Sequence, residues 1–217
     1  MHYRVLENII DLKKINEILD FFHTNISLHE NKMYMEKINR PWSYEVVNSL
    51  RDSIKEYVDV DANIGDNIYK HSYPYYPHVD IDDSYPSVNF LIPLFVADNN
   101  PQHFVIFDQY VENTKPKTWI GNLDLEGEFV KNTKDKFIHT DPYVKNCTGA
   151  DIDDAFYKDY LEHAGRDKQL FFGCSGVAVE YKPGNAIVFD SKHIHCTGKM
   201  IADYKIGLSL RFKGSIR

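Results

Sequence analysis

The residues best suited to chemistry in this chain lie in two short runs, Tyr76-Pro77-His78-Val79-Asp80 and His193-Ile194-His195. In an extended His-x-Asp the two-residue period puts both side chains on one face of the strand. A histidine from a second strand completes a set of two imidazoles and one carboxylate. Such a set grips one face of a divalent metal and leaves the opposite positions open to other ligands. Lys205, ten residues past His195, opens a stretch in which Ile206, Leu208, Leu210 and Phe212 alternate with Lys205, Gly207, Ser209 and Arg211. The alternation predicts a strand with an apolar face and a polar face. A basic group and a histidine then face one cavity from neighbouring strands, an anion site beside a metal ligand.

His-x-Asp alone is weak evidence. With ten His among 217 residues such a triplet is expected by chance, and a second stands at His139-Thr140-Asp141. Context favours the first. His78 and Asp80 precede a strand-like Ser87-Val88-Asn89-Phe90-Leu91-Ile92-Pro93-Leu94, and about a hundred residues remain before His195. His139 and Asp141 run into Pro142 and a helical pattern, leaving too few strands before His195 to close a barrel.

The triple His78-x-Asp80 … His195, the run Phe189-Asp190-Ser191-x-x-x-His195 and the basic residue ten positions after the distal histidine resemble the Fe(II)/2-oxoglutarate-dependent dioxygenases. The nearest flavour is that of the phytanoyl-CoA-dioxygenase-like and small bacterial or phage members. The resemblance covers roughly Asp66 to Phe212 and is most specific from Pro183 onward. It implies a mainly β (α+β) fold with a double-stranded β-helix, jelly-roll or cupin-like, core. It also implies Fe(II), 2-oxoglutarate as cosubstrate, and O2. Within it His195, not His193, is the distal ligand, and Thr197 helps to bind the cosubstrate. Lys205 stands where most members carry Arg and some branches, such as prolyl hydroxylases, carry Lys. Arg211, on the same strand face, can also take a carboxylate bidentately, although its spacing puts it nearer the far end of the sheet. Asn89, polar within an apolar strand, is expected to direct its amide at cosubstrate or substrate. Tyr73, Tyr75 and Tyr76 crowd the mouth beside His78. The implied activity is hydroxylation of a small molecule with release of succinate and CO2. The alternatives are a prolyl or other protein side-chain hydroxylase, and a non-catalytic cupin-like protein that holds a metal or anion.

The elements that must position these residues follow from pattern. At 217 residues the chain reads as one domain: helical N-terminal support over 1–60, a jelly-roll core over 66–213 and an insertion around 114–176. Leu6, Ile9, Ile10, Leu12, Ile15, Ile18, Leu19 and Phe22 recur at helical spacing and predict an amphipathic helix over Val5–Phe22. Ser43 caps a second predicted helix reaching Val58. Asn67–Tyr73, Ser87–Val96 and Gln102–Val111 read as strands, with Asp98-Asn99-Asn100-Pro101 as a hairpin turn between the last two. Asp151–Ala164 has helical spacing and acidic residues at its start, and is placed to act as a lid. Val177–Tyr181 resumes the sheet, and Ala186–Phe189 follows a Pro-Gly turn.

Composition excludes other classes. A net charge of −7 argues against nucleic acid or an anionic membrane as main partner. Cys147, Cys174 and Cys196 are odd in number and widely spaced, which suggests a reducing compartment without disulfides. No apolar run approaches a membrane span and no signal peptide is evident. The expectation is a cytoplasmic enzyme with a small-molecule substrate.

Overall fold

The computed structural model describes residues 3–25, 34–37, 58–74, 77–80, 86–111, 129–130, 144–146, 152–164, 171 and 174–216. The strands are β1 (Tyr3–Leu6), β2 (Tyr34–Lys37), β3 (Val58–His71), β4 (Ser87–Val96), β5 (His103–Val111), β6 (Phe129–Val130), β7 (Val144–Asn146), β8 (Gly176–Glu180), β9 (Ala186–Asp190), β10 (His193–Thr197) and β11 (Lys205–Ile216). They form two antiparallel sheets. The large one runs β1-β9-β4-β11-β3-β2; the small one runs β10-β5-β8-β7, with β6 also pairing β5. Two antiparallel sheets enclosing a core, with few helices, make the jelly-roll.

The period of two builds three packed layers. On the large sheet Ile68, Val88, Phe90, Ile92, Val188, Ile206, Leu208, Leu210 and Phe212 face outward and bury against helix α1 (Leu12–Asn25) through Ile15, Ile18 and Phe22. Each such side chain, fully buried, contributes about 1.5–3 kcal/mol. Between the sheets, Tyr69, Leu91, Ile187 and Phe189 meet Phe104, Ile106, Val177, Val179 and Tyr181. The outer face of the small sheet, Val105, Phe107, Ala178, Ile194 and Cys196, is covered by Ile152, Phe156 and Leu161. These last come from helix α2 (Asp154–Phe156), which Asp153 caps by accepting from the Phe156 N–H at 2.7 Å, and which continues through a π turn at Tyr157–Leu161. The expected lid segment therefore shields the outside of the small sheet.

Other expectations need correction. The helix begins at Leu12, where Asp11 Oδ1 accepts from the Lys14 N–H at 2.8 Å. Val5 and Leu6 lie instead in β1, paired with Ile187 and Ala186 of β9. A helical period in a run of isoleucines and leucines cannot reveal a pairing to a strand more than 170 residues away. The N-terminal region is thus partly sheet, and β3 starts earlier than the sequence pattern suggests. The predicted helix from Ser43 lies outside the described residues. The turn after β4 is not a hairpin, because β4 and β5 belong to different sheets. Asp98 (φ 62°) and Asn99 (φ 51°) take left-handed conformations there, which carry the chain across the core. Gly184 (φ 89°) makes the turn into β9, and its carbonyl accepts from the Ile10 N–H at 3.2 Å. No helix among the described residues is long and apolar enough to cross a membrane.

One close approach inside the core is diagnostic. The Tyr69 and Tyr181 hydroxyls pair at 2.8 Å directly over Gly207, where a Cβ would coincide with the Tyr181 hydroxyl. Gly207→Ala should therefore cost about 1–3 kcal/mol as an overpacked core site, lowering Tm by roughly 2–10 °C for a chain of this size. Adding Tyr181→Phe should recover part of the loss. Wild-type stability of the single variant in urea denaturation would contradict this packing.

Candidate metal centre

The segment carrying His78 and Asp80 runs antiparallel along the open edge of β10. The His78 N–H donates to the His195 carbonyl and the His195 N–H to the His78 carbonyl, both at 2.9 Å, and the Asp80 N–H reaches the Ser191 carbonyl at 3.2 Å. Backbone pairing thus fixes where the side chains stand. The ligand atoms of His78, Asp80 and His195 lie within 4.8 Å of one another, a group able to hold a metal ion. His78 Nε2 is 3.7 Å from Asp80 Oδ1, and His195 Nε2 is 3.4 Å from Asp80 Oδ2. Adjacent ligands of an octahedral ion with bonds of about 2.0–2.2 Å are separated by about 3 Å, so a small inward movement of the side chains closes the set on a metal.

Neighbouring groups orient each member. His195 Nδ1–H donates to the His193 carbonyl at 2.9 Å. A carbonyl can only accept, so this bond fixes the tautomer and leaves the Nε2 lone pair for a metal. His193 turns its own Nδ1–H to the Phe107 carbonyl at 2.9 Å, so its ring is engaged by β5. The carboxylate of Asp80 is held by Asn89 Nδ2 at 3.0 Å on Oδ2, and its carbonyl by Arg211 Nη1 at 3.0 Å. Asn89 and Arg211 are register partners on β4 and β11. Burial tends to raise the Asp80 pKa, but the contact with His195 Nε2 and the positive charge of His195 and His78, when protonated, and of Arg211 outweigh it. The group is held well below the usual carboxylate range and stays an anion.

A second polar cluster lies two residues along β10. Thr197 Oγ1 accepts from Lys205 Nζ at 3.4 Å, and that ammonium lies 4.3 Å from the centre of the Tyr181 ring. Lys205 is only 1% exposed, and burial pushes its pKa down to about 7, against the opposing influence of Cys196. Among the described residues no carboxylate faces it. His71, paired with Lys205 across β3 and β11, is buried there. That burial, with Lys205 and His78 nearby, depresses His71 to about 3, so it sits neutral. The Tyr69 and Tyr181 phenols are raised by burial and stay protonated.

The structure therefore gathers His78, Asp80 and His195 in one cluster and Thr197 with Lys205 in another. Arg211, expected well past the metal's depth, instead touches Asp80: the return of the His78–Asp80 segment over the sheet brings Asp80 to it. The Asn89 amide, expected on cosubstrate or substrate, is engaged by Asp80. Cys196 packs in the outer core, its thiol pushed up by burial. Tyr73 is 54% exposed, while Tyr75, Tyr76, His139 and Asp141 lie outside the described residues. Sequence reasoning missed His71, Tyr69 and Tyr181. For His71 and Tyr69 the period of two in β3, carried back from the inward face, is the one signal that marks them.

No family profile and no curated protein matches the sequence. Solved structures do resemble the fold. The non-haem alpha-ketoglutarate-dependent epimerase SnoN of nogalamycin biosynthesis superposes with a TM-score of 0.54 at 11% identity, over 98% of this chain and 78% of that one. HygX from Streptomyces hygroscopicus, solved with nickel and 2-oxoglutarate bound, gives 0.53 at 11% identity, over 98% and 82%. The alpha-ketoglutarate-dependent carbocyclase SnoK gives 0.52 at 9% identity, over 98% and 79%. The chain has the jelly-roll fold of these non-haem 2-oxoglutarate-dependent enzymes.

The contacts to Asp80 and His195 yield a graded expectation for metal binding. Asp80→Ala and His195→Ala should abolish Co(II) or Fe(II) binding in an anaerobic titration. Asn89→Ala should weaken it by about 10–100-fold, as loss of a ligand-orienting contact does. His193→Ala should keep the metal, and Asp141→Ala should match wild type. Equal loss in the His193 and His195 variants would reassign the ligand.

Proposed function

We propose that this chain is a single Fe(II)- and 2-oxoglutarate-dependent oxygenase domain that hydroxylates a small molecule. In the overall reaction one oxygen atom of O2 enters a substrate C–H bond and the other enters the succinate formed, with CO2, from 2-oxoglutarate. The observation that carries the reading is the buried ammonium of Lys205, which no carboxylate among the described residues faces, beside the His78–Asp80–His195 set. An ammonium removed from water is costly unless an anion offsets it, and a dicarboxylate with one end on the metal brings its other carboxylate for that purpose.

The donor set fits Fe(II), since two imidazoles and one carboxylate on one face are the ligands of non-haem iron oxygenases. His78, Asp80 and His195 would hold the iron, which supplies the O2 activation that organic side chains lack. The chain's own residues do the rest. Lys205 and Thr197 bind the distal carboxylate of 2-oxoglutarate by a charge-assisted contact and a hydroxyl. Asn89 and Arg211 keep Asp80 aimed at the iron position. The His193 carbonyl keeps His195 in the ligating tautomer. Leu91, Phe104, Ile106 and Phe189, buried around the site, exclude bulk water.

Anaerobic titration of the Fe(II) protein with 2-oxoglutarate tests the reading. A visible charge-transfer band and aerobic succinate release are expected, and absence of both overturns it. Lys205→Ala should raise the 2-oxoglutarate Kd by about thirtyfold to several thousandfold, for loss of roughly 2–5 kcal/mol, with Fe(II) affinity near wild type.

The pH dependence has a definite sign. Lys205 in the free protein titrates at about 7, and only its charged form pairs with a carboxylate. Below pH 7 the Kd should be flat. Above it, binding must take up a proton, and the Kd should rise by up to tenfold per pH unit. Lys205→Arg, which stays charged, should flatten that rise whatever its absolute affinity.

A further inference from the structure

We propose that Asp108, held by Ser175, is the substrate-recognition residue of this site and that the substrate carries a primary amine, an inference that rests on the oxygenase reading above. Two strands independently place this pair on the inner wall. Along β5, Phe104 and Ile106 lie in the core between the sheets while Val105 and Phe107 lie outside, so the period of two turns Asp108 inward. Along β8, Val177 and Val179 face inward and Ala178 outward, which turns Ser175 inward as well. The two residues meet directly. The Asp108 N–H donates to the Ser175 carbonyl at 2.8 Å, and Ser175 Oγ donates to Asp108 Oδ2. Where β8 leaves the sheet, the Ser175 N–H turns to Gln109 Oε1 at 3.1 Å, which anchors the pair.

Position relative to the metal ligands gives the pair its role. Ile106 is the register partner of both His195 and Val177. Asp108 lies two residues farther along β5, about 7 Å on. Two residues the other way, Phe104 is opposite Thr197, which receives Lys205. The inner wall thus carries a cation at one end, a carboxylate at the other, and His195 between them. The cation end suits the cosubstrate, so the carboxylate end faces what is to be oxidised.

Charge selects the partner. Among the described residues no Lys, Arg or His contacts Asp108, and one hydroxyl donor does not neutralise it. A substrate seated against the wall displaces water from the carboxylate. An alcohol would leave that charge uncompensated, whereas an ammonium offsets it. The net charge of −7 further favours approach of cations.

The test measures succinate release by the Fe(II)-loaded protein with 2-oxoglutarate, using matched compounds: cadaverine against 1,5-pentanediol, lysine against norleucine, and glucosamine against glucose. At least one amine should stimulate turnover above the substrate-free rate while its neutral counterpart does not. Asp108→Asn should lower kcat/KM for that amine by at least about thirtyfold, and Ser175→Ala by less. The 2-oxoglutarate Kd from anaerobic titration should stay within about threefold of wild type in both variants, which also shows that they are folded. Equal stimulation by the neutral member overturns the proposal. So does amine turnover that Asp108→Asn leaves unchanged, or failure of every amine in protein that binds 2-oxoglutarate normally. Absence of 2-oxoglutarate binding in the wild-type protein is a different failure: it sinks the oxygenase reading itself, and this proposal with it.

Discussion

The site depends on two backbone hydrogen bonds, those exchanged between His78 and His195 at 2.9 Å. The small sheet ends at β10, whose outer edge would otherwise present unpaired amides and carbonyls. The segment 77–80 satisfies that edge and carries two of the three side chains of the candidate metal centre. The spacing between the imidazoles is therefore set by main-chain geometry. Side-chain rotamers need only make small adjustments, and a ligand sphere built this way loses little entropy when a metal arrives.

β11 organises the opposite wall. Its outward residues bury against α1, which leaves its inward residues to tolerate whatever the cavity demands. That face carries Lys205 and Arg211, six residues apart, and the two cations serve different neighbours. Arg211 donates to the Asp80 carbonyl, and among the described residues Lys205 meets a hydroxyl and an aromatic face, with no carboxylate facing it. An arginine whose guanidinium is already engaged is a structural tie. The Lys205 ammonium, in a neutral cradle among the described residues, is not tied in that way. The contrast in satisfaction, more than the shared charge, distinguishes their roles.

Much of this was legible in the sequence because it is local. The alternation of Lys205–Phe212 holds as written, β4 spans the expected Ser87–Val96, and His78, Asp80 and His195 come together. What was not legible depends on long-range return of the chain. Val5 and Leu6 fit the helical period of the residues after them, and only their pairing with β9 makes them a strand. Arg211 and Asp80 are 131 residues apart in sequence, so no spacing rule along β11 could bring them into contact. The turn at Asp98 and Asn99 has hairpin chemistry, but whether such a turn pairs its flanking strands or sends them to different sheets is decided by their partners. His71 and Tyr181 escaped because a histidine or tyrosine in a strand is commonplace. Their meaning comes from facing Lys205.

The central place of β11 also sets an order of events in the life of the polypeptide. β3 and β4 are consecutive in sequence, yet each is hydrogen-bonded to β11 and neither to the other. Until residues 205–216 have been synthesised, both strands have open inner edges, and the large sheet cannot close in the direction of translation. Pairings this remote make for slow folding, and exposed edges in a nascent chain invite association with other chains. The cluster of His78, Asp80 and His195 with its neighbour Lys205 is consequently among the last features to be assembled. A nascent chain ending before β11 would present the histidines without the strand that carries Lys205 and Arg211.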